Sequence, residues 1–233
     1  MEFPLETKLY NQVVVITGAS GGIGATLAHA FLQSGARVAI LARRRDRLQE
    51  FINKYQSDRC IALPTDVKSY RQVSKSINSI IKSWKRIHIL VNNAGVYPPE
   101  TPMWELSPQC WKETINTNLN GIFNLCRCVV PIMIKNNYGR IINVSSEMTD
   151  TPNSLAYSIT KNAADNLTLI LSRELAPMKV DVLVNSIDPG SVFSEMNLEG
   201  PYATEKTIPL FLKLATLPEG SQHGIKWSNK FTL

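Results

Sequence analysis

The stretch "VVVITGASGGIG", residues Val13 to Gly24, decides the fold of this chain. A short β-branched run leads into a glycine-rich turn, and the helix-spaced segment "IGATLAHAFLQSG" follows directly. Glycine permits a tight turn and a close approach of a ligand to the backbone, while the following helix offers free N–H groups and a positive dipole end. The pattern therefore predicts a strand, turn and helix that bind a pyrophosphate. The candidate contacts are Gly18, Ser20, Gly21, Gly22, Ile23 and Gly24.

The alternation of strand and helix continues along the chain. Apolar runs typical of buried strands recur as "RVAILA", "CIALPTD", "IHILVNN", "GRIINVSS" and "VDVLVNSIDPG". Helical patterns separate them, including long ones at Pro108 to Asn136 and Ser154 to Leu175, and the tail is irregular apart from a helical segment at Lys206 to Leu214. This arrangement predicts a single α/β domain over residues 1–233, a Rossmann-type doubly wound parallel β-sheet with helices on both faces. Such sheets bind ligands at the carboxyl ends of their strands.

Composition and charge narrow the classes of partner. The net charge of +6 raises the possibility of nucleic acid, but the clearest basic run, Arg43 to Arg47, is short and has a more specific interpretation, so we expect no nucleic-acid partner. No apolar run could span a bilayer, and the start "MEFPLETKLYNQ" lacks the apolar core of a signal peptide, so we expect a cytoplasmic protein without membrane contact. Four cysteines without CxxC spacing and three isolated histidines favour free thiols and no metal site.

The end of the second predicted strand, "ILARRR", bears on the choice of cofactor. An NAD site usually places an acid there for the ribose hydroxyls, and this chain has Ala42 followed by Arg43. A guanidinium can pair with a 2′-phosphate that a carboxylate would repel. We therefore predict NADP(H), with Arg43 as the leading contact and Arg44 as a helper; a solvated helix start is the alternative interpretation.

Tyr157 and Lys161 lie four positions apart on a predicted helix and so share one face. A tyrosine hydroxyl has an ordinary pKa of about 10, and a nearby ammonium favours the phenolate. Such a tyrosine can exchange a proton with an alcohol or carbonyl oxygen. A tyrosine and lysine at this spacing are common by chance, but their place after the fifth strand, downstream of a glycine loop, indicates an active site.

Seven motifs occur along the chain in one order: "TGASGGIG", "TDV", "NNAG", "NLNG", "GRIINVSS", "YSITK" and "DPGSV". In this order, and near these intervals, they resemble the short-chain dehydrogenase/reductase family over nearly the whole chain. The resemblance implies a carbonyl-reductase-like enzyme that passes a hydride between NADP(H) and a carbonyl compound or secondary alcohol. It implies that Tyr157 exchanges the proton, and that Lys161 lowers the pKa of Tyr157 and holds the nicotinamide ribose.

The resemblance implies further site residues, position by position. Asn118 matches an asparagine that bends a long helix and anchors a water in a proton relay, with Asn116 as the nearby alternative. Asp66 matches a contact to the adenine ring through its side chain, and Val67 one through its backbone. The other implied cofactor contacts follow the fourth and sixth strands: Asn93, Ala94, Gly95, Pro189, Gly190, Val192 and Ser194.

Two adjacent serines compete for the catalytic position. In the family's pattern the second serine acts, which here is Ser146. The loop from Ser146 to Tyr157 is two residues shorter than in many members, and Thr149 replaces the usual glycine, so spacing alone leaves Ser145 open. Because side chains alternate along a strand, one of the two serines faces the cofactor. The match on the strand side favours Ser146, whose hydroxyl would bind the substrate oxygen.

Residues 193–215 correspond to the small substrate lobe of the family. Apolar residues that could line a pocket or belong to the core are Met196, Leu198, Tyr202, Phe211 and Leu214, with Tyr97 and Trp104 as further pocket candidates. The two long helices resemble those that pair between family subunits, so we expect a homodimer or homotetramer. Two alternatives stay open: an NAD-dependent alcohol dehydrogenase of the same family, and a non-catalytic dinucleotide-binding sensor or interaction protein.

Overall fold

A parallel β-sheet runs through the centre of the protein in a computed structural model that describes residues 9–229. Within that range the sheet has seven strands in the order β3-β2-β1-β4-β5-β6-β7. The strands are β1 Val13–Thr17, β2 Arg37–Ala42, β3 Cys60–Pro64, β4 Ile89–Asn92, β5 Gly139–Val144, β6 Val182–Asp188 and β7 Lys226–Ser228. Because the strand order reverses between β1 and β4, the loops that follow these two strands meet at one edge of the sheet.

Helices cover both faces of this sheet. They are α1 Gly22–Gln33, α2 Arg45–Tyr55, α3 Tyr70–Trp84, α4 Pro108–Ile115, α5 Gly121–Lys135, α6 Leu155–Leu175 and α7 Ile208–Ala215. On one face α1, α2 and α7 pack over the strands, and on the other α3, α5 and α6 do so. The strand residues are buried on both faces, as their continuous apolar sequence predicts. The doubly wound α/β fold predicted from the sequence is confirmed.

Two features of the fold differ from the sequence prediction. The helix expected over Pro108 to Asn136 is interrupted by a π-helical turn at Asn116–Asn120, a form that occurs frequently at functional sites. The tail, expected to be irregular apart from one helix, also contains β7, which pairs in parallel with Ser186–Asp188 of β6. A strand of three residues is too short to show a hydrophobic period, and for that reason the sequence did not reveal it.

The substrate lobe separates into a core part and an exposed part. Phe211 and Leu214 on α7 are 0% and 1% exposed and belong to the hydrophobic core beside α1, so they do not line a pocket. Met196 and Leu198 are 45% and 73% exposed.

None of the helices within residues 9–229 has the length and apolar character that crossing a membrane requires.

Candidate active site

The loops after β1 and β4 form one hydrogen-bonded unit. The Thr17 hydroxyl accepts the backbone N–H groups of Asn93 and Ala94, each at 3.0 Å. The Asn93 amide donates back to the Thr17 carbonyl at 2.9 Å. Gly18 has a φ of +67°, and a Cβ at this position would lie 2.8 Å from the Cα of Ala94. The "NNAG" motif therefore sets the shape of the glycine turn, and these contacts require glycine at position 18.

The first turn of α1 presents backbone N–H groups at the mouth of the glycine loop. Its N-cap residue is Gly21, which provides no side-chain cap for these donors. A Cβ at Gly24 would lie 2.5 Å from the carbonyl oxygen of Gly18, so the helix starts directly against the turn. A Cβ at Gly22 would lie 3.4 Å from the Cβ of Ser194, which brings the substrate lobe close to the same turn. Uncapped donors beside a bare backbone fit a pyrophosphate.

The three arginines after β2 lie in two different places. Arg43 and Arg45 line a hollow of about 220 Å³, together with Pro64, Thr65, Asp66 and Gln72. Arg44 instead turns over the glycine loop, where its Nη2 donates to the Ser20 hydroxyl at 3.0 Å and its Nη1 lies 2.7 Å from a carboxylate oxygen of Glu195. The structure therefore brings Arg43 to the same hollow as Asp66 and adds Arg45, which the sequence interpretation did not name.

Ser146 and Tyr157 lie together at the carboxyl end of β5. The Ser146 hydroxyl lies close enough to the Tyr157 phenol to act on its pKa, and Tyr157 is 9% exposed. The Ser145 side chain is buried on the other side of the backbone, with its hydroxyl donating to the Lys161 carbonyl at 3.4 Å. The structure thus places Ser146, rather than Ser145, next to the tyrosine.

Burial controls the ionisation of the phenol. It raises the pKa of Tyr157 to about 12, against the opposing effect of the nearby Ser146 hydroxyl. The expectation from sequence was that a nearby ammonium would lower this pKa, but among the protein's own groups burial is the larger effect. At neutral pH the Tyr157 phenol therefore carries its proton.

Lys161 lies one helical turn beyond Tyr157. Its Nζ donates to the Val144 carbonyl at 2.7 Å and lies 5.3 Å from the centroid of the Tyr157 ring. Burial lowers the pKa of Lys161 to about 8; Asp165 and Asp188 act to raise this pKa, and Lys226 acts to lower it further. The ammonium is the main form at neutral pH, so a positive charge lies beneath the tyrosine ring.

Asn118 occupies the π-helical turn and points its amide at the loop after β4. Its Oδ1 accepts the Val96 N–H at 2.8 Å, and its Nδ2 donates to the Val96 carbonyl at 2.9 Å and to the Thr160 hydroxyl at 3.2 Å. A Cβ at Gly95 would lie 3.5 Å from the Asn118 Oδ1 and 3.9 Å from the Lys161 Nζ, so the three residues surround one space. Asn116, the alternative from sequence, makes a local hydrogen bond: its Oδ1 accepts from the Asn120 side-chain amide at 2.8 Å.

The remaining predicted cofactor contacts lie mostly in the turns that follow β6. The Asp188 carboxylate accepts the Gly190 N–H at 3.0 Å and sets the turn that contains Pro189. Val192 is buried and bridges to Tyr202, and Ser194 caps the following turn by accepting the Met196 and Asn197 N–H groups. Val67 packs on the π-helical turn, where a Cβ at Gly121 would lie 2.9 Å from its Cγ2.

Two further groups at the site had no sequence motif. Tyr97, a pocket candidate, stacks edge-on against Tyr157 with ring centroids 4.8 Å apart, and its hydroxyl donates to Glu100 at 2.6 Å and lies 3.0 Å from the Ser154 hydroxyl. Lys226 of β7 reaches the Ser146 carbonyl.

Trp104, the other aromatic pocket candidate, is 84% exposed. Among the described residues, no group of three histidine, cysteine or acidic side chains could hold a metal.

Comparison with known proteins places this chain in a family. The family model described as short chain dehydrogenase matches residues 12–201. The NADP-dependent 3-hydroxy acid dehydrogenase YdfG of Shigella flexneri is 32% identical over 222 residues, which cover 92% of this chain and 88% of the relative.

Solved structures show the same architecture. The 3-ketoacyl-(acyl-carrier-protein) reductase of Brucella melitensis, complexed with NADH, superposes with a TM-score of 0.88 at 22% identity, covering 94% of this chain and 97% of the other. ElxO with NADP bound has a TM-score of 0.85 at 25% identity, covering 94% and 96%. As the order of its motifs predicts, the chain belongs to the short-chain dehydrogenase family.

Proposed function

We propose that this protein is an NADP(H)-dependent oxidoreductase that interconverts a carbonyl compound and a secondary alcohol. The observation that carries the proposal is the grouping of Ser146, Tyr157 and Lys161 at the carboxyl edge of the sheet, with Asn118 beside them. A dinucleotide fits the same edge, because the bare glycine turn offers uncapped N–H groups and the hollow beyond it is lined by Arg43 and Arg45. The NADP dependence of the YdfG relative supports this choice of cofactor.

The protonation states of the site favour proton donation to a carbonyl oxygen. With its pKa at about 12, the Tyr157 phenol is protonated at neutral pH and can donate to the substrate oxygen. The Ser146 hydroxyl, which contacts the phenol, can bind the same oxygen and stabilise its developing negative charge. When bound, NADPH supplies the hydride that reduces the carbonyl carbon.

The lysine and asparagine act behind the tyrosine. The Lys161 ammonium lies 5.3 Å from the ring centroid, where its charge stabilises the phenolate that remains after proton donation. The Asn118 amide fixes the backbone of Val96 and so shapes the space between Gly95 and the lysine. We propose that this space is the route by which Tyr157 regains its proton.

A substrate screen tests the proposal. Purified protein is incubated with NADPH or NADH and a panel of aldehydes, ketones, quinones and 3-oxo acids, and the absorbance of the reduced cofactor is followed. We expect consumption of NADPH with at least one carbonyl class. Tight NADPH binding without turnover on this panel would instead support a dinucleotide-binding sensor.

We also propose that a second copy of the chain covers α5 and α6. Large apolar side chains are exposed on both helices: Phe123 at 52%, Ile159 at 41% and Ile170 at 48%. Single exposed apolar residues are common, but three on two neighbouring helices fit a buried face in a homodimer or homotetramer. Light scattering after size exclusion tests this, and a monomer at micromolar concentration would contradict it.

A further inference from the structure

The loop that joins Ser146 to the catalytic helix has an anchor outside itself. We propose that Lys226, on β7, is a positioning residue of the active site: it holds the Ser146 backbone in place and pairs with Asp165, one turn beyond Lys161 on α6. The inference rests on the proposed function and extends it to a residue of the last strand. Residues 145–154 are called the serine loop below.

The position of Lys226 follows from the register of the sheet. Its backbone pairs with Ser186 on β6, and the next residue of β6, Ile187, accepts the Ser145 N–H at 2.7 Å. The lysine side chain crosses β6 and its Nζ donates to the carbonyl oxygen of Ser146. The same Nζ lies 3.2 Å from the Oδ2 of Asp165. One ammonium thus connects the last strand, the serine loop and the catalytic helix.

The position of the Ser146 hydroxyl depends on where its own backbone is held, and the Lys226 contact to the Ser146 carbonyl helps to hold that backbone. The Ser146 hydroxyl contacts the Tyr157 phenol and accepts the Met148 N–H at 3.1 Å. Further along the serine loop, the Thr151 N–H donates to the Ser158 hydroxyl at 3.3 Å. A shift of the Ser146 carbonyl would move its hydroxyl away from the phenol, so an external donor to that carbonyl fixes the distance on which catalysis depends.

Lys226 also balances charge beneath the site. The charged and titratable groups that face Lys161 are Tyr157 and Asp165 on α6, Asp188 at the end of β6, and Lys226 on β7. The Lys226 and Asp165 side chains are 28% and 23% exposed, and the second oxygen of Asp165 is buried without a hydrogen-bond partner among the described residues. Removing the Lys226 charge would leave Lys161 as the cation that offsets the Asp165 carboxylate, and so would change the balance of charge around Lys161.

Hydrogen exchange tests the anchor without needing a substrate. Full-length Lys226→Met, Lys226→Arg and wild type are compared by mass spectrometry, with Lys75→Met, an exposed lysine on α3, as the matched control. We expect exchange of the serine-loop amides to rise about tenfold in Lys226→Met and to stay near wild type in Lys226→Arg and Lys75→Met. Serine-loop exchange that is unchanged in Lys226→Met would overturn the proposal.

Kinetics test the role of the same residue in the reaction. We expect kcat of Lys226→Met to fall about tenfold while KM for NADPH stays within about twofold, with recovery in Lys226→Arg. Lys226 acts to lower the pKa of Lys161 and Asp165 acts to raise it. The pH at which kcat is half-maximal should therefore rise in Lys226→Met, which loses a positive charge, and fall in Asp165→Asn, which loses a negative one. If Tyr157→Phe is inactive but Lys226→Met matches wild type in rate and pH midpoint, the positioning role is wrong and the proposed function stands. If Tyr157→Phe is as active as wild type, the proposed function fails, and hydrogen exchange still decides whether Lys226 anchors the loop.

Discussion

The hydroxyl of Ser146 lies beside the phenol of Tyr157 and acts to lower its pKa, although the loop that joins them is short and has Thr149 where the family's motif has glycine. The loop achieves this with its own hydrogen bonds, including Thr149 N–H to the Glu147 carbonyl at 2.8 Å. The Lys226 ammonium adds a contact to the Ser146 carbonyl from outside. The shortened loop is therefore compatible with the serine and tyrosine pair that proton transfer to a carbonyl requires.

Replacing each of the two adjacent serines tests that relationship. We expect Ser146→Ala to lower kcat by roughly a hundredfold, because it removes a donor to the developing oxyanion. Ser145→Ala loses only a 3.4 Å bond to the Lys161 carbonyl, so we expect a stability loss of about 0.5–1 kcal/mol and little change in kcat. Steady-state kinetics and urea unfolding measure both effects. The reverse ranking of the two kcat values would assign catalysis to Ser145.

Cofactor preference should depend on the arginine at the end of β2. Because Arg43 lines the hollow beside Asp66, we expect Arg43→Ala to raise KM for NADPH by about tenfold to a hundredfold, the loss typical of one hydrogen bond to a charged group, and to leave KM for NADH nearly unchanged. Arg47→Ala is the control, since Arg47 is exposed on α2 and pairs with Glu50. Equal effects of Arg43→Ala on the two cofactors would contradict a 2′-phosphate contact.

Two glycines with similar backbone angles separate conformational strain from steric contact. Gly18 and Gly220 have φ values of +67° and +75°. A Cβ at Gly18 would lie 2.8 Å from the Ala94 Cα, whereas a Cβ at Gly220 would meet no atom within 4 Å. We expect Gly220→Ala to cost about 1 kcal/mol of unfolding free energy. Gly18→Ala should cost at least about twice as much and weaken NADPH binding. Equal losses in thermal unfolding would mean that the turn adapts to the extra carbon.

Acid should destabilise the protein through a half-buried histidine. The His88 ring accepts the Val13 N–H at 2.8 Å, and burial, followed by the charge of Arg86, lowers the pKa of His88 to about 4. The folded state then binds fewer protons than the unfolded state between pH 6.5 and about 4, so the contribution to stability is present above pH 6.5 and is lost as pH falls through this window.

Comparison with a residue that does not titrate isolates this effect. We expect wild type to lose on the order of 1 kcal/mol more unfolding free energy than His88→Gln between pH 6.5 and 4.5, after allowance for the partial exposure of the ring. Glutamine keeps an acceptor for the Val13 N–H. Urea unfolding at both pH values gives the difference. Parallel losses in the two proteins would show that His88 is protonated in the folded state at its ordinary pKa.

The features that were predictable from sequence are those that depend on local pattern. The first six strands and the glycine turn could be predicted because continuous apolar runs and glycine spacing reflect burial and backbone angle directly. The π-helical turn at Asn116–Asn120 was not visible in the hydrophobic pattern, since its five residues, NTNLN, are nearly all polar and too few to show a period. The resemblance of Asn118 to a helix-bending asparagine was the available signal.

What could not be predicted depends on contacts between distant parts of the chain. Arg43 and Arg44 are neighbours in sequence, yet their side chains leave the strand end in different directions. Arg44 pairs with Glu195, and Arg43 lines the hollow beside Asp66. Lys226 has no motif around it, and its contact with Ser146 exists only because β7 adds to the edge of β6.

Reduction of a carbonyl compound by Tyr157→Phe, compared with wild type and Tyr10→Phe, tests the central claim most directly. Tyr10 is 58% exposed and precedes β1, so its hydroxyl provides a matched control. With NADPH and the carbonyl compound that wild type reduces fastest, we predict that Tyr157→Phe loses about a hundredfold or more in kcat, the typical contribution of a positioned general acid, while still binding NADPH, and that Tyr10→Phe equals wild type. A kcat for Tyr157→Phe equal to that of wild type would contradict proton donation by Tyr157.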